Sequence, residues 1–132
     1  MSAEIHRTLR QLTAALERLR AALREPADNV LAIDGTIQRF EFTIELFWKL
    51  MKRLLAWEGI AVQTPRETLQ RAYQAGWLDD ETAWLEMLQA RNQTSDAYDE
   101  ALARRIYEQI RKDFPVLEQA LAMLARRLPP ES

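Results

Sequence analysis

The chain has 132 residues, of which 48% are hydrophobic, with only 3 glycines, 5 prolines and no cysteine; this favours an all-helical fold and excludes disulfides, thiolate zinc sites and cysteine nucleophiles. The 18 basic residues against 20 acidic ones leave a formal net charge of −2, so no global basic field draws in nucleic acid and any RNA contact must be local. A chain of this length is most simply one domain, residues 1–132, that buries roughly two-thirds of the surface its unfolded form exposes.

The opening "MSAEIHRTLRQL" is charged and amphipathic, and no stretch approaches 18 uncharged apolar residues. A soluble, cytoplasmic protein with no membrane association is expected. Leu9, Leu12, Leu16, Leu19 and Leu23 alternate three- and four-residue steps, the spacing of one apolar seam on a first helix that ends near "EPAD". Asp28 is placed to cap a second helix, whose seam reads Ile33, Ile37, Phe40, Ile44, Phe47, Met51 and Leu54, with Gly59 as its stop. Phe42, Leu46 and Leu50 widen that apolar face beyond one stripe, which implies neighbours on several sides. Arg39 and Arg53 fall within the wide face and must snorkel, pair with a carboxylate, or meet an interface.

Thr64-Pro65-Arg66-Glu67 is a helix start with a threonine cap, proline at the first position and a capping-box glutamate. A short third helix is predicted to Ala75 and to end at Gly76. Asp79 or Asp80 then caps a fourth helix that turns Trp84, Met87 and Leu88 to the core. Leu102, Ile106, Ile110, Leu117, Leu121, Leu124 and Leu128 mark a long last helix. Pro115 predicts a kink or break in it near Lys112 to Phe114, and "PPES" reads as a frayed tail. The expected architecture is an all-α, up-and-down antiparallel bundle of four or five helices, with the second helix central.

Between the last two helices lies "ARNQTSDAYDE". Arg91 follows Leu88 by three residues and Trp84 by seven, so it continues a core-facing seam, and a guanidinium there needs a partner. The plain reading puts it at the helix C-terminus, bonding the last carbonyls and offsetting the macrodipole; the other reading is an anion or phosphate site. Ser95 and Asp96 suit the N-cap of the last helix, with Asp99 and Glu100 in its first turn, and Tyr98 suits a first-turn packing residue with a wet hydroxyl. Glu41 and Glu45 lie one turn apart, read as a solvated strip pairing with Lys49 and Lys52. His6 reads as a surface residue. The tryptophans, Trp48, Trp57, Trp77 and Trp84, read as core and interface packing. No residue set has the clustered spacing of a metal site, and no cofactor is implied.

The segments "DGTIQRFEFTIELFWKLMKRLLAWEG" and "TPRETLQRAYQAGWLDDETAWLEMLQARNQTSDAYDE" together resemble the nucleotidyltransferase substrate-binding proteins of the HEPN superfamily, over roughly Leu9 to Leu124. These are small helical-bundle partners of minimal nucleotidyltransferases. The resemblance implies a homodimeric bundle and a minimal nucleotidyltransferase as partner, often in a toxin–antitoxin pair. Many superfamily members are metal-independent ribonucleases whose motif is an arginine, four to six intervening residues, a histidine, one residue and a tyrosine. Arg91 matches the arginine, Asn92 follows it as is usual in this branch, and Tyr98 matches the tyrosine. The histidine position is Asp96.

That departure bears on chemistry. Cleavage through a 2′-hydroxyl wants a group that exchanges protons near neutral pH, as unperturbed imidazole does and unperturbed aspartate does not. The resemblance therefore implies nucleotide or RNA binding by Arg91 and Asn92, with Asp96 weakening catalysis. Tyr98 is the implied target of adenylylation by the partner enzyme. Three functions are carried forward: a binding partner of a nucleotidyltransferase, a toxin ribonuclease with an altered motif, and an assembly scaffold whose loop is only a cap.

Overall fold

The computed structural model describes residues 2–94 and 99–131. It contains α1 (Ser2–Leu23), α2 (Val30–Trp57), α3 (Pro65–Gln74), α4 (Glu81–Gln93) and α5 (Glu100–Ala125), with no strand among the described residues. Three of the helix starts are set by the side chains expected there or next to them. Thr64 accepts from the Glu67 amide at 3.1 Å and Asp80 from the Ala83 amide at 3.0 Å, each satisfying an orphan donor of the first turn. The cap of α2 is Asn29, whose Oδ1 accepts from the Leu31 amide at 2.9 Å, one residue later than the expected Asp28.

Glycine stops α2 and α3 by the same device. Gly59 and Gly76 take φ of +85° and +81°, which lets the Ile60 amide reach the Leu55 carbonyl at 2.8 Å and the Trp77 amide reach the Ala72 carbonyl at 3.0 Å. These are Schellman closures, and each delivers the next apolar side chain back to the helix it ends.

The four long helices run up and down. Arg53 of α2 donates to the Thr8 hydroxyl of α1, Glu45 of α2 meets Arg91 of α4, and Asp79, just before α4, accepts from Gln119 of α5 at 2.5 Å. The first and last pairings join the early part of one helix to the late part of its neighbour, and the second joins the end of α4 to the middle of α2. The short α3 packs on α2 and α4, and α2 touches all four other helices. That is why its apolar face is so wide. Phe40, Phe47, Leu50, Met51 and Leu55 are wholly buried, and the buried Thr36 and Thr43 hydroxyls return to carbonyls one turn back at 2.7 Å. That apolar arc is thus mostly covered within the chain; Phe42 and Trp57 remain about half exposed.

Two expectations are corrected near the chain's ends, and of the two alternatives at Pro115 the break is excluded. Pro115 lies inside a continuous α5, so there is no break; the flanking Phe114 and Leu117 are buried, and that packing holds the helix through the missing donor. The tail is not frayed: Pro129 is buried, and Ser2 Oγ donates to the Pro130 carbonyl at 2.6 Å. His6 is no plain surface residue either, because its Nε2 lies 2.8 Å from the Pro129 carbonyl and its side chain is 17% exposed. The C-terminal residues form a lid over the start of α1.

Candidate functional site

Arg91 stands in the last turn of α4, on the seam that carries the buried Trp84 and Met87. Trp84 packs edge-to-face on Phe47 of α2, with ring centroids 5.1 Å apart, and this contact fixes the register of α4 against α2. In that register the Arg91 guanidinium arrives at Glu45. Its Nη2 donates to Glu45 Oε2 at 2.6 Å, with the two side chains 36% and 35% exposed.

This pairing corrects two expectations. Arg91 does not spend its donors on the last carbonyls of its own helix; the Arg91 carbonyl instead accepts from the Thr94 hydroxyl at 2.7 Å. Glu45 belongs to Arg91 rather than to a Lys49 and Lys52 strip, and the Lys52 ammonium sits 5.2 Å from the Trp48 ring centroid, a cation–π arrangement. The need for a partner was legible from Arg91's seam position, but its identity was not.

Beneath the pair is a narrow apolar recess between α2, α3 and α4, lined by Ile44, Trp48, Leu69, Trp84 and Leu88. Trp48 Nε1 donates to Thr68 Oγ1 at 3.2 Å, which holds the indole as one wall. The recess has a volume of about 20 Å³, enough for about one water molecule. The recess is therefore too small to enclose a ligand of nucleotide size. A guanidinium carries five N–H donors; Nη2 serves Glu45 and Nη1 makes a long 3.5 Å contact to Asn92 Oδ1. The remaining donors, at a side chain more than one-third exposed, suit an incoming phosphate oxygen.

The general acid or base of a cleavage reaction is harder to find. His6, the chain's one histidine, is held on α1 against Pro129, and no group of three or more His, Asp or Glu side chains among the described residues could hold a metal ion. Asp96 and Tyr98, the altered histidine position and the motif tyrosine, lie outside the described residues, as does Ser95. The cap of α5 is Asp99, accepting from the Ala101 amide at 2.9 Å, with Glu100 in the first turn. Asp99 thus takes the cap role expected of Ser95 or Asp96.

One buried acid carried no sequence signal of function. Asp113 on α5 is 6% exposed, and its Oδ2 has no hydrogen-bond partner among the described residues. Burial pushes its pKa above the ordinary carboxylate value, Glu86 and Asp80 add to the shift, and Lys112 and Gln109 oppose it. Its position among Ile110, Phe114 and Leu117 was the available clue.

Comparison with known proteins places these features in a family context. Residues 7–126 match the family model described as nucleotidyltransferase substrate binding protein like. A probable ribonuclease HepT from Haemophilus influenzae is 36% identical over 83 residues, covering 59% of this chain and 57% of that protein. The chain therefore aligns with little more than half the length of this curated relative. A crystal structure of a protein from Thermus thermophilus superposes with a TM-score of 0.79 at 31% identity, covering 86% of this chain and 98% of that one.

Proposed function

Because the chain belongs to the nucleotidyltransferase substrate-binding family, we propose that it is the helical partner of a minimal nucleotidyltransferase, presenting the Arg91-to-Tyr98 segment to that enzyme or to a nucleotide or RNA ligand. The observation that carries this reading is the Arg91 guanidinium, paired with Glu45 at 2.6 Å beside an apolar recess and still 36% exposed. Arg91 and Asn92 bind the anionic ligand. Tyr98 is the acceptor for adenylylation: its hydroxyl oxygen attacks the α-phosphorus of a nucleoside triphosphate and pyrophosphate leaves. The modification adds negative charge beside Arg91, which repels RNA. The pair acts as a toxin–antitoxin-like unit in the cytoplasm, residues 1–132 forming one domain. The protein works as a homodimer whose seam draws on the exposed apolar residues toward the ends of α2, Val30, Leu31 and Trp57.

A second reading, a metal-independent ribonuclease, is favoured by the name of the Haemophilus relative and by the retained Arg91 and Asn92. Asp96 opposes it, since an unperturbed carboxylate exchanges protons poorly near neutral pH.

One experiment separates the two. The purified chain and its Asp96→His variant are incubated with total RNA and with defined tRNA without divalent metal, each also carrying Arg91→Ala as control. Under the partner reading the unaltered chain leaves RNA intact and co-elutes with its nucleotidyltransferase. Cleavage by the unaltered chain that Arg91→Ala abolishes would establish the ribonuclease instead. Light scattering at micromolar concentration tests the dimer, which a monomer mass would refute.

A further inference from the structure

On the other side of Glu45 lies a second concavity, an open groove between α1 and α2 of about 450 Å³. That is within the roughly 300–1,000 Å³ of small-molecule sites. Ala14 and Ala15 of α1 line it, and their short side chains leave the two helices apart there. Phe42 stands in the groove 52% exposed, an aromatic face that nothing among the described residues covers fully. Arg18, Arg39 and Lys49 surround it, all three exposed. Among the lining residues the single acid is Glu45, and its carboxylate is engaged by Arg91. A chain of net charge −2 thus gathers three uncompensated cations around one exposed phenyl ring.

We infer that this groove binds a nucleoside phosphate, with the base stacked on Phe42 and the phosphates held by Arg18, Arg39 and Lys49. Every base offers a π-face to an aromatic side chain, and guanidinium and ammonium groups are the usual phosphate donors. A second copy of the chain is the poorer occupant. A two-fold contact through this face would bring the same three cations against one another. The inference goes beyond the function proposed above, since Arg91 makes none of its ligand contacts. The nucleoside phosphate is either a free nucleotide or one unit of an RNA strand, and the chemistry of recognition is shared.

Calorimetric titration of the full chain with ATP, tripolyphosphate and a short oligoadenylate RNA tests this. ATP or the RNA is expected to bind; the tighter of the two identifies the source. Phe42→Ala should weaken that binding about ten-fold while leaving tripolyphosphate unchanged, and Phe42→Trp should restore it. Arg39→Gln should weaken ATP and tripolyphosphate together, and Arg127→Gln, at an exposed cation outside the groove, should leave ATP affinity as it was. Because Phe42 is half exposed, its replacement spares the core, which a thermal melt checks. Loss of binding on Arg91→Ala but not on Phe42→Ala or Arg39→Gln would overturn the groove and uphold the Arg91 site. The reverse pattern would uphold the groove and count against ligand binding at Arg91. No binding of either nucleotide form overturns the inference, and so does a drop in mass on Phe42→Ala, which would make the groove a contact between copies.

Discussion

Arg91 and Glu45, 46 residues apart in sequence, meet at 2.6 Å across α4 and α2. With both side chains about one-third exposed, the pair contributes roughly 0–1 kcal/mol to stability. Its consequence is positional: it aims a guanidinium outward over the recess. Glu45→Gln is therefore expected to change the urea midpoint little, and to strengthen the response of the Arg91 Nε resonance to added tripolyphosphate. An unchanged response would mean that Glu45 does not compete with anions for Arg91.

Caps and site separate by mutation. Asp99→Ala removes the acceptor of the Ala101 amide and should cost about 1 kcal/mol. With the cap held by Asp99, Asp96→Ala should fall within about 0.5 kcal/mol of the parent chain. Urea unfolding of both variants decides it; an equal cost for the two would return Asp96 to the role of a structural cap.

Asp113 makes stability depend on pH. Its folded-state pKa lies above the ordinary value, so over the interval between the two the native state keeps a proton that the unfolded chain has lost, and stability falls as pH rises. The loss begins near the ordinary carboxylate pKa and is complete above the raised one. Asp113→Asn should then stabilise the protein at pH 7 by on the order of 1 kcal/mol, the cost of a poorly satisfied buried polar group, with the gain shrinking as pH falls through the acid range. Melting curves from pH 3 to pH 8, as a rough range spanning the carboxylate region, would show parallel profiles if Asp113 were not responsible.

Trp84 and Trp57 should behave as opposites. Trp84 is 2% exposed and packs on Phe47, so Trp84→Ala is expected to cost about 3–5 kcal/mol. Trp57, 48% exposed, should cost well under that, about 0.5 kcal/mol in the monomer. Guanidinium unfolding measures both; a Trp57 cost that rises with chain concentration supports the proposed seam between copies, and a loss comparable to that of Trp84 at every concentration would place Trp57 in the core.

Gly76 isolates a backbone effect. A Cβ there meets nothing within 4 Å, so Gly76→Ala pays only for the φ of +81°, about 1 kcal/mol. A loss of several kcal/mol by thermal unfolding would show that Trp77, buried just beyond it, had left the core.

Much of this protein was legible from local pattern. Caps at Thr64 and Asp80, stops at Gly59 and Gly76, and the apolar faces of α1, α2, α4 and α5 all depend on residues within one or two turns of each other, where the chain's own geometry sets the contacts. The family motif at Arg91 and Asn92 was equally local. What the tertiary structure decided was pairing at long range: Arg91 with Glu45, His6 with Pro129, and the burial of Asp113 with the Glu86 and Asp80 carboxylates acting on it. Helix periodicity says which face turns inward, yet the register in which two inward faces interlock follows from side-chain packing such as Phe47 on Trp84. Pro115 shows the same division, since the local rule allows either a kink or a break, and the packed Phe114 and Leu117 accompany an α5 that continues as one helix.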